Sequence, residues 1–252
     1  MTKNTTCVFF LSLLAALYLA GCSTTKIAEN ELYANPAPNA GFIADPGQDT
    51  HHANLPFNRE WIKPGFELSG YSSLIIAPVD TTHMLKMNWW QQANLRSVDG
   101  QFPKDFKDIA NYMQDSFTKA FNYDKNQRFV VVTQPNGHTL TLEMALIELV
   151  PSKPVLNALG WLQMGGGTAA SVISPRTVAF EARLRDAQTG EIVATFADRE
   201  KQESDPLDLT RLTWYEPAKQ IINEWAKQMV AVANRKPGQV ISKSVPFSLM
   251  PW

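Results

Sequence analysis

Two residue pairs in this sequence have the types and spacing of catalytic groups. Asp80 and His83 follow a short apolar run, and a carboxylate beside an imidazole can exchange protons as an acid–base pair. Ser116 and Lys119 have the Ser-x-x-Lys spacing of an acyl-transfer nucleophile and its base, but the sequence lacks the Ser-Asp-Asn and Lys-Thr-Gly elements that complete such a site. Neither pair has a third partner in the sequence, so we predict no catalytic residues.

Metal, cofactor and nucleic-acid sites are not indicated either. His51 and His52 are adjacent, and adjacent side chains do not readily share one tetrahedral ion. The glycines at 165–167 are not followed by the Lys-Ser or Lys-Thr of a phosphate-binding loop. The formal net charge of −1 gives no basic surplus for a nucleic acid. We therefore predict no metal, no cofactor and no nucleic-acid partner.

The amino terminus has the pattern of a secretory leader. Lys3 precedes an uncharged apolar run at 7–17, and the small residues Ala20 and Gly21 lead into Cys22. The run is shorter than the roughly 20 apolar residues that span a bilayer. The only other cysteine, at position 7, lies inside the leader, so cleavage leaves a chain that can form no internal disulfide.

The stretch that ends at Cys22 resembles the lipobox of bacterial lipoproteins, which reads Leu, two small residues and Cys. The resemblance implies cleavage after Gly21, a diacylglyceryl thioether on Cys22 and acylation of its new amino group, typically with palmitate. Ser23 stands where an Asp would retain the protein in the inner membrane, so the resemblance implies the outer membrane, facing the periplasm. An ordinary secretory signal with a chance cysteine is the alternative.

Composition divides the chain into four segments. Residues 1–21 form the signal peptide, and residues 22–60, rich in Asn, Pro, Ala and Gly, form the lipidated terminus and a flexible tether. Residues 61–236 carry the periodic patterns of a folded periplasmic domain. Residues 237–252 form an extended C-terminal tail.

Apolar periodicity predicts two helices in this domain. One begins near Pro103, and its apolar residues recur at intervals of three and four: Phe106, Ile109, Met113, Phe117, Ala120 and Phe121. The other begins near Pro217 and ends before Pro237-Gly238, with a stripe formed by Ile221, Ile222, Trp225, Met229 and Val232.

Alternating apolar residues and turn signals predict about five strands. Leu74–Val79 is a short strand, and the strands near 128–133 and 140–146 flank Asn136-Gly137, a strong hairpin signal. A second hairpin covers 177–201, where Asp186 and Gly190 suit the turn. The order is β-α-β-β-insert-β-β-α. We predict an α+β fold in which two main helices pack on one face of a mostly antiparallel sheet.

Two stretches resemble a known family. The sequence GYSSLIIAPV at 70–79 and the sequence TVAFEARLRDAQTGEIVATFADRE at 177–200 look like the bacterial lipoprotein family DUF3313, a domain of unknown function. The resemblance covers most of the mature chain. The family brings no assigned reaction, so it implies no catalytic residues.

Two apolar regions are candidate contact surfaces. The uncharged segment 154–175 is an internal helix with a Gly-rich loop, a surface for a partner or the membrane, or a membrane span, and the sequence leaves these alternatives open. Paired indoles in a polar loop can rest at a lipid interface, stack on sugar or cap a core. The candidate contact residues are Trp89, Trp90, Leu159, Trp161, Leu162 and Met164.

Together these patterns indicate a membrane-anchored periplasmic lipoprotein. We expect a non-enzymatic binding or accessory module of the cell envelope, presented to an envelope protein partner. One alternative is a self-assembling envelope or secretion component, a homo-oligomer that uses 154–175. The other is a tethered cell-wall or lipid hydrolase that uses Asp80 and His83.

Overall fold

The computed structural model describes residues 37–45, 50, 54–85, 102–150, 177–201 and 215–243. Their strands are β1 Arg59–Ile62, β2 Ser73–Ile76, β3 Val130–Val131, β4 Thr139–Val150, β5 Thr177–Asp186 and β6 Ile192–Lys201. Their helices are α1 Thr82–Leu85, α2 Phe102–Asn122 and α3 Glu216–Ala233. All these elements belong to one unit that begins at Ala37.

The strands form one mixed sheet in the order β1-β6-β5-β4-β2-β3. The neighbouring pairs β1–β6, β6–β5 and β5–β4 are antiparallel. Strand β2 runs parallel to both of its neighbours, β4 and β3. The α+β class is thus confirmed. The sheet differs from the prediction in having six strands and two parallel pairs.

The predicted hairpin at Asn136-Gly137 is wrong. Strands β3 and β4 run in the same direction and β2 lies between them. Asn136 does not close a two-residue turn, because its side chain donates to the hydroxyl of Ser73 at 3.0 Å and accepts from the backbone N–H of His138 at 2.9 Å. The loop therefore crosses the start of β2, whose apolar Leu74 is buried between two neighbouring strands.

Both predicted helices are confirmed, and they pack on one face of the sheet. Of the stripe on α2, Phe106, Ile109, Met113 and Phe117 are at most 1% exposed. Trp225 of α3 joins the same core and contacts Phe180 of β5, with ring centroids 4.5 Å apart. The 3.6-residue period of each helix directs its apolar stripe toward the sheet.

The second predicted hairpin is also confirmed. Strands β5 and β6 pair antiparallel through almost their whole length. Oδ1 of Asp186 accepts the backbone N–H groups of Gln188 and Thr189 at 2.7 and 2.9 Å. Gly190 has a φ of +75°, a conformation that glycine adopts without steric strain.

Part of the segment 22–60, predicted as a tether, packs on the sheet. Phe42, Ile43 and Leu55 are buried, and Phe57 lies against Phe180 and Phe196 with ring centroids 6.0 and 5.3 Å apart. The composition of this segment, rich in Asn, Pro and Gly, is typical of a linker. Its few large apolar side chains nevertheless pack against residues of the sheet that are distant in sequence. The compact unit that holds these residues begins at Ala37. Residues 22–36 lie outside the described part.

Among the helices that the structure describes, none is long and apolar enough to cross a membrane.

Candidate functional site

The face of the sheet opposite α2 and α3 is crossed by residues 37–43, which we call the strap. The strap is held by Glu181, whose side chain is fully buried on β5. The Glu181 carboxylate accepts the backbone N–H groups of Ala40, Phe42 and Ile43 at 3.2, 2.9 and 3.1 Å. It also pairs with Arg59 of β1 at 3.2 Å. An ionised acceptor satisfying three amides is a strong local anchor for a segment with no regular secondary structure.

The ring of Phe42 fixes the strap from its other side. The guanidinium carbon of Arg183 lies 4.0 Å from the Phe42 ring centroid, and Nη1 of Arg183 donates to the Phe42 carbonyl at 3.1 Å. His83 meets the same ring edge-on, with centroids 5.5 Å apart. A cation over an aromatic face is attracted by the ring quadrupole, so Arg183 helps to keep Phe42, and with it the strap, on the sheet.

His83 of the Asp80–His83 pair contacts this strap. Nε2 of His83 lies 3.8 Å from Oδ2 of Asp80, and Nδ1 donates to the carbonyl of Ala40 at 2.9 Å. Oδ1 of Asp80 accepts the backbone N–H of Thr82 at 2.6 Å. The two candidate acid–base residues are therefore close together, but their hydrogen bonds hold backbone. Of the other candidate pair, Ser116 is buried on α2 and Lys119 is exposed.

An ion-pair group lies beside the strap on the same face. Glu143 of β4 pairs with Arg183 at 2.8 Å and with Arg185 at 2.9 Å. Burial acts to raise the pKa of Glu143, but the hydrogen bond from Arg185 and the charges of both arginines hold this pKa below its usual value. Glu143 therefore stays ionised, and its carboxylate on β4 holds the side chains of Arg183 and Arg185 on β5.

A second ionic cluster, formed by Asp198, Glu200 and Lys243, lies at the far end of β6. Nζ of Lys243 contacts Asp198 at 2.8 Å and Glu200 at 3.0 Å. Asp198 also accepts from the indole N–H of Trp225 at 2.8 Å. Burial, followed by the charge of Asp198, raises the pKa of Glu200 to about 8. The cluster ties the C-terminal segment to the sheet.

A cavity of about 190 Å³ lies on the helix side of the sheet, between the C-terminal ends of α2 and α3. Its floor is a row of side chains across four neighbouring strands: Leu142, Leu184, Ala194 and Ile62. Its walls come from both helix ends, from β2 and β6, from the chain between β1 and β2, and from the chain before β3. They comprise Phe66, Leu68, Leu74, Phe121, Phe129, Phe196, Met229 and Ala233.

Two small residues leave this space open. Ala194 lies in the middle of the floor, and Ala233 is the last residue of α3. The lining side chains are all apolar, so the cavity supplies no acid, base or nucleophile. Such a cavity can hold hydrocarbon, because a water molecule inside it would lack the two to four polar partners it requires.

Comparison with known proteins gives a family. A family model described as "Protein of unknown function (DUF3313)" matches residues 47–229, well over half of the chain. The chain belongs to the DUF3313 family. No curated protein is similar to it.

Solved structures are only distantly similar to this DUF3313 protein. A PelC dodecamer from Paraburkholderia phytofirmans matches with a TM-score of 0.37 and 9% identity, covering 68% of this chain and 94% of that chain. A point variant of the same PelC dodecamer matches with a TM-score of 0.38 and 10% identity over the same shares. At these scores no property of PelC is transferred to this chain.

The other site residues predicted from the DUF3313 sequence lie outside the described residues. These are Cys22, Ser23, Trp89, Trp90, Leu159, Trp161, Leu162 and Met164. Within the described ranges, no group of three His, Cys, Asp or Glu side chains is placed to hold a metal ion.

Sequence reasoning missed both the strap and the cavity. The cavity is lined from five strands, two helices and two connecting segments, so no short motif marks it. The strap had one signal, since Phe42-Ile43 is a pair of large apolar residues inside a stretch of small and polar ones.

Proposed function

We propose that this DUF3313 protein is a non-enzymatic lipoprotein of the bacterial outer membrane, anchored on the periplasmic face through lipid on Cys22. It presents its α+β domain as a binding or accessory module to an envelope protein partner. The apolar run, the small residues before Cys22 and the residue Ser23 support the anchor and its sorting.

The strap is the observation that carries this proposal, because it sets how far the domain can lie from the membrane. Fourteen residues separate Cys22 from Ala37. Even fully extended, that segment reaches at most about 50 Å, whereas a tether running to residue 61 would reach about 130 Å. A domain held this closely works at the membrane surface, and its partner must lie there too.

The roles of the described polar groups support a binding module over an enzyme. Asp80 and His83, the residues of the hydrolase alternative, both hold backbone: Asp80 accepts from Thr82, and His83 donates to Ala40 of the strap. The described cavity is lined by hydrocarbon and offers affinity without a reacting group. The self-assembly alternative depends on 154–175, outside the described residues, and a size measurement on the lipid-free protein tests it.

Fractionation of cells tests the anchor. Cys22→Ser should move the protein out of the membrane fraction, because the thioether cannot form. Cys7→Ser is the matched control, since Cys7 lies in the leader and its loss should leave the protein in the membrane. Mass spectrometry of the native protein should find a lipid-modified Cys22 as its first residue. A bare terminus, or an attached leader, contradicts the anchor.

Sorting is tested separately with Ser23→Asp, which should shift the protein from the outer to the inner membrane. An unchanged distribution contradicts the outer-membrane assignment. Crosslinking in intact cells, followed by mass spectrometry, then identifies the partner, and a partner without access to the membrane surface contradicts the short reach.

Proteolysis tests the strap. Glu181→Gln removes the charge that holds three amides, so chymotrypsin should cleave after Phe42 at least tenfold faster than in the unmodified protein, in line with the roughly 1.5–3 kcal/mol of one hydrogen bond to a charged group. Glu191→Gln is the matched control, because Glu191 is exposed on the β5–β6 turn. Equal cleavage rates in both variants would show that Glu181 does not hold the strap.

A further inference from the structure

We propose that the cavity between the ends of α2 and α3 binds the end of one unbranched alkyl chain, of roughly six to eight carbons by comparison with a ~150 Å³ apolar cavity that takes benzene. This inference rests on the proposed function, a binding module, and names the class of ligand that the module binds. The natural sources of such a chain are a free fatty acid and a single-chain phospholipid.

The lining chemistry selects hydrocarbon. The twelve side chains around the cavity are aliphatic, aromatic or thioether, and most of them are buried. A polar ligand group placed there would lose its hydration and gain no hydrogen bond from a side chain. Each methylene that enters is removed from water against preformed apolar walls, which favours binding about fourfold per methylene.

The volume selects the end of a chain and excludes a whole lipid. Pockets that enclose a drug-sized molecule measure roughly 300–1,000 Å³. At about 190 Å³ this cavity accepts one chain end, and the rest of the ligand must remain outside. Ile62 is 41% exposed and is the most accessible lining residue, which places the mouth at the β1 edge.

The cavity walls are braced, so the space is preformed. The guanidinium of Arg128 donates to the carbonyls of Leu68 and Tyr71, and it lies 4.5 Å from the ring centroid of Phe129. The ring of Phe66 packs on that of Tyr71, with centroids 5.7 Å apart. These contacts fix the two wall segments, before β2 and before β3, against each other. A rigid, preformed apolar site binds without the entropy loss of ordering its own walls.

Calorimetry tests the proposal on the protein that begins at Ser23, without leader or lipid, which retains every described strand and helix. The probes are straight-chain alkanoates of 4 to 12 carbons below their micelle concentrations. Affinity should rise about fourfold for each added methylene. It should then level off near eight carbons, where the cavity is full. No binding, or a rise that continues unchanged to 12 carbons, overturns the proposal.

Cavity-filling variants locate the site. Ala233→Leu places a larger side chain in the cavity and should weaken octanoate binding at least tenfold without lowering the melting temperature. Ala231→Leu is the matched control, because Ala231 lies on the same helix and does not line the cavity. Ala194→Val is a second, smaller filling from the floor, which serves if Ala233→Leu misfolds. Unchanged octanoate affinity in a folded filling variant overturns the proposal.

Two further arms identify the source and the competitor. Lysophosphatidylcholine with an eight-carbon chain should bind as tightly as octanoate if the mouth admits a phospholipid, and more weakly if the ligand is a free fatty acid. Binding of octanoate only after residues 244–252 are removed would make that tail the natural occupant and overturn the proposal. None of these outcomes alters the membrane fractionation of Cys22→Ser, so failure here is distinct from failure of the lipid anchor.

Discussion

Nζ of Lys243 lies 2.8 Å from Oδ1 of Asp198, although 45 residues separate them, and both side chains are almost fully buried. Removing one partner of such a buried ion pair destabilises a fold strongly, because the other charge is left buried and uncompensated. Here that pairing fastens the chain after α3 onto the end of β6. Burial acts to lower the pKa of Lys243, but the charges of Asp198 and Glu200 raise it above its usual value.

Lys243→Met should therefore destabilise the protein strongly. It leaves Asp198 buried without its cation, and we expect a loss of about 3–5 kcal/mol in the free energy of unfolding measured in urea. Lys227→Met is the control, since Lys227 pairs with Glu224 on the exposed surface of α3 and should contribute less than about 1 kcal/mol. A loss in Lys243→Met no larger than in this control would contradict the role of the cluster.

Glu200 should make stability fall as the pH rises. Its pKa in the folded protein is raised to about 8, chiefly by burial, above the 4.5 of an unperturbed glutamate. The folded state therefore holds a proton that the unfolded state releases, so this stability is fully present below pH 4.5 and is lost as the pH rises through 8. Between pH 6 and 9 the loss should be on the order of 2 kcal/mol.

Glu200→Gln should remove that pH dependence, because glutamine resembles the protonated acid at every pH. Unfolding in urea at pH 6, 7, 8 and 9 measures the effect, and Glu224→Gln, on the surface of α3, should keep the slope of the unmodified protein. A parallel decline in Glu200→Gln would mean that another group titrates in this window.

Tyr71 and Asp186 should stabilise the folded protein through one short hydrogen bond. The Tyr71 hydroxyl donates to Oδ2 of Asp186 at 2.6 Å, and this bond, followed by burial, raises the pKa of Tyr71 to about 12. The stability that it provides is present below pH 10 and is lost as the pH rises through 12. Tyr71→Phe should lower the free energy of unfolding at pH 7 by about 1.5 kcal/mol.

The control for Tyr71 is Tyr123→Phe, because the Tyr123 side chain is 83% exposed. Its loss should change stability by no more than about 0.5 kcal/mol. Titration of tyrosinate absorbance provides a second measurement, in which the unmodified protein should retain one group near pH 12 that Tyr71→Phe lacks. If that group persists in the variant, the assignment to Tyr71 is wrong.

The β5–β6 turn should require glycine at position 190. Its φ of +75° places an L side chain in the left-handed region, so Gly190→Ala should destabilise the protein by roughly 1–2 kcal/mol. Gly137→Ala is the control, because Gly137 has no positive φ and a Cβ there meets nothing within 4 Å. It should be neutral or slightly stabilising in thermal unfolding. Equal losses in both variants would contradict a conformational requirement at Gly190.

Local patterns predicted the local parts of this fold. The stripe of α2 and the turn at Asp186 depend on residues within a few positions of each other, so their periods and turn residues are visible in the sequence. The Asn136-Gly137 signal failed because a side chain of β2 competes for Asn136 from 63 residues away. The turn preference of Asn-Gly reflects only those two residues, so it cannot account for a hydrogen bond to the distant Ser73.

The cavity and the strap show the same limit for function. Glu181 alternates with apolar residues and looks like an exposed position of β5, yet it is fully buried under a segment about 140 residues earlier. The cavity arises because Ala194 and Ala233, distant in sequence, leave space at the same place. Neither residue carries any local mark of that role.

The sequence by itself determined the helices, the second hairpin, the α+β class and the expectation of a lipid on Cys22, because periodicity, turn chemistry and a processing motif are all read over short distances. Only the tertiary structure decided the six-strand order, the burial of the strap, the Asp198–Glu200–Lys243 cluster and the cavity. Burial and empty space depend on which distant surfaces meet, and that is a property of the whole packed chain.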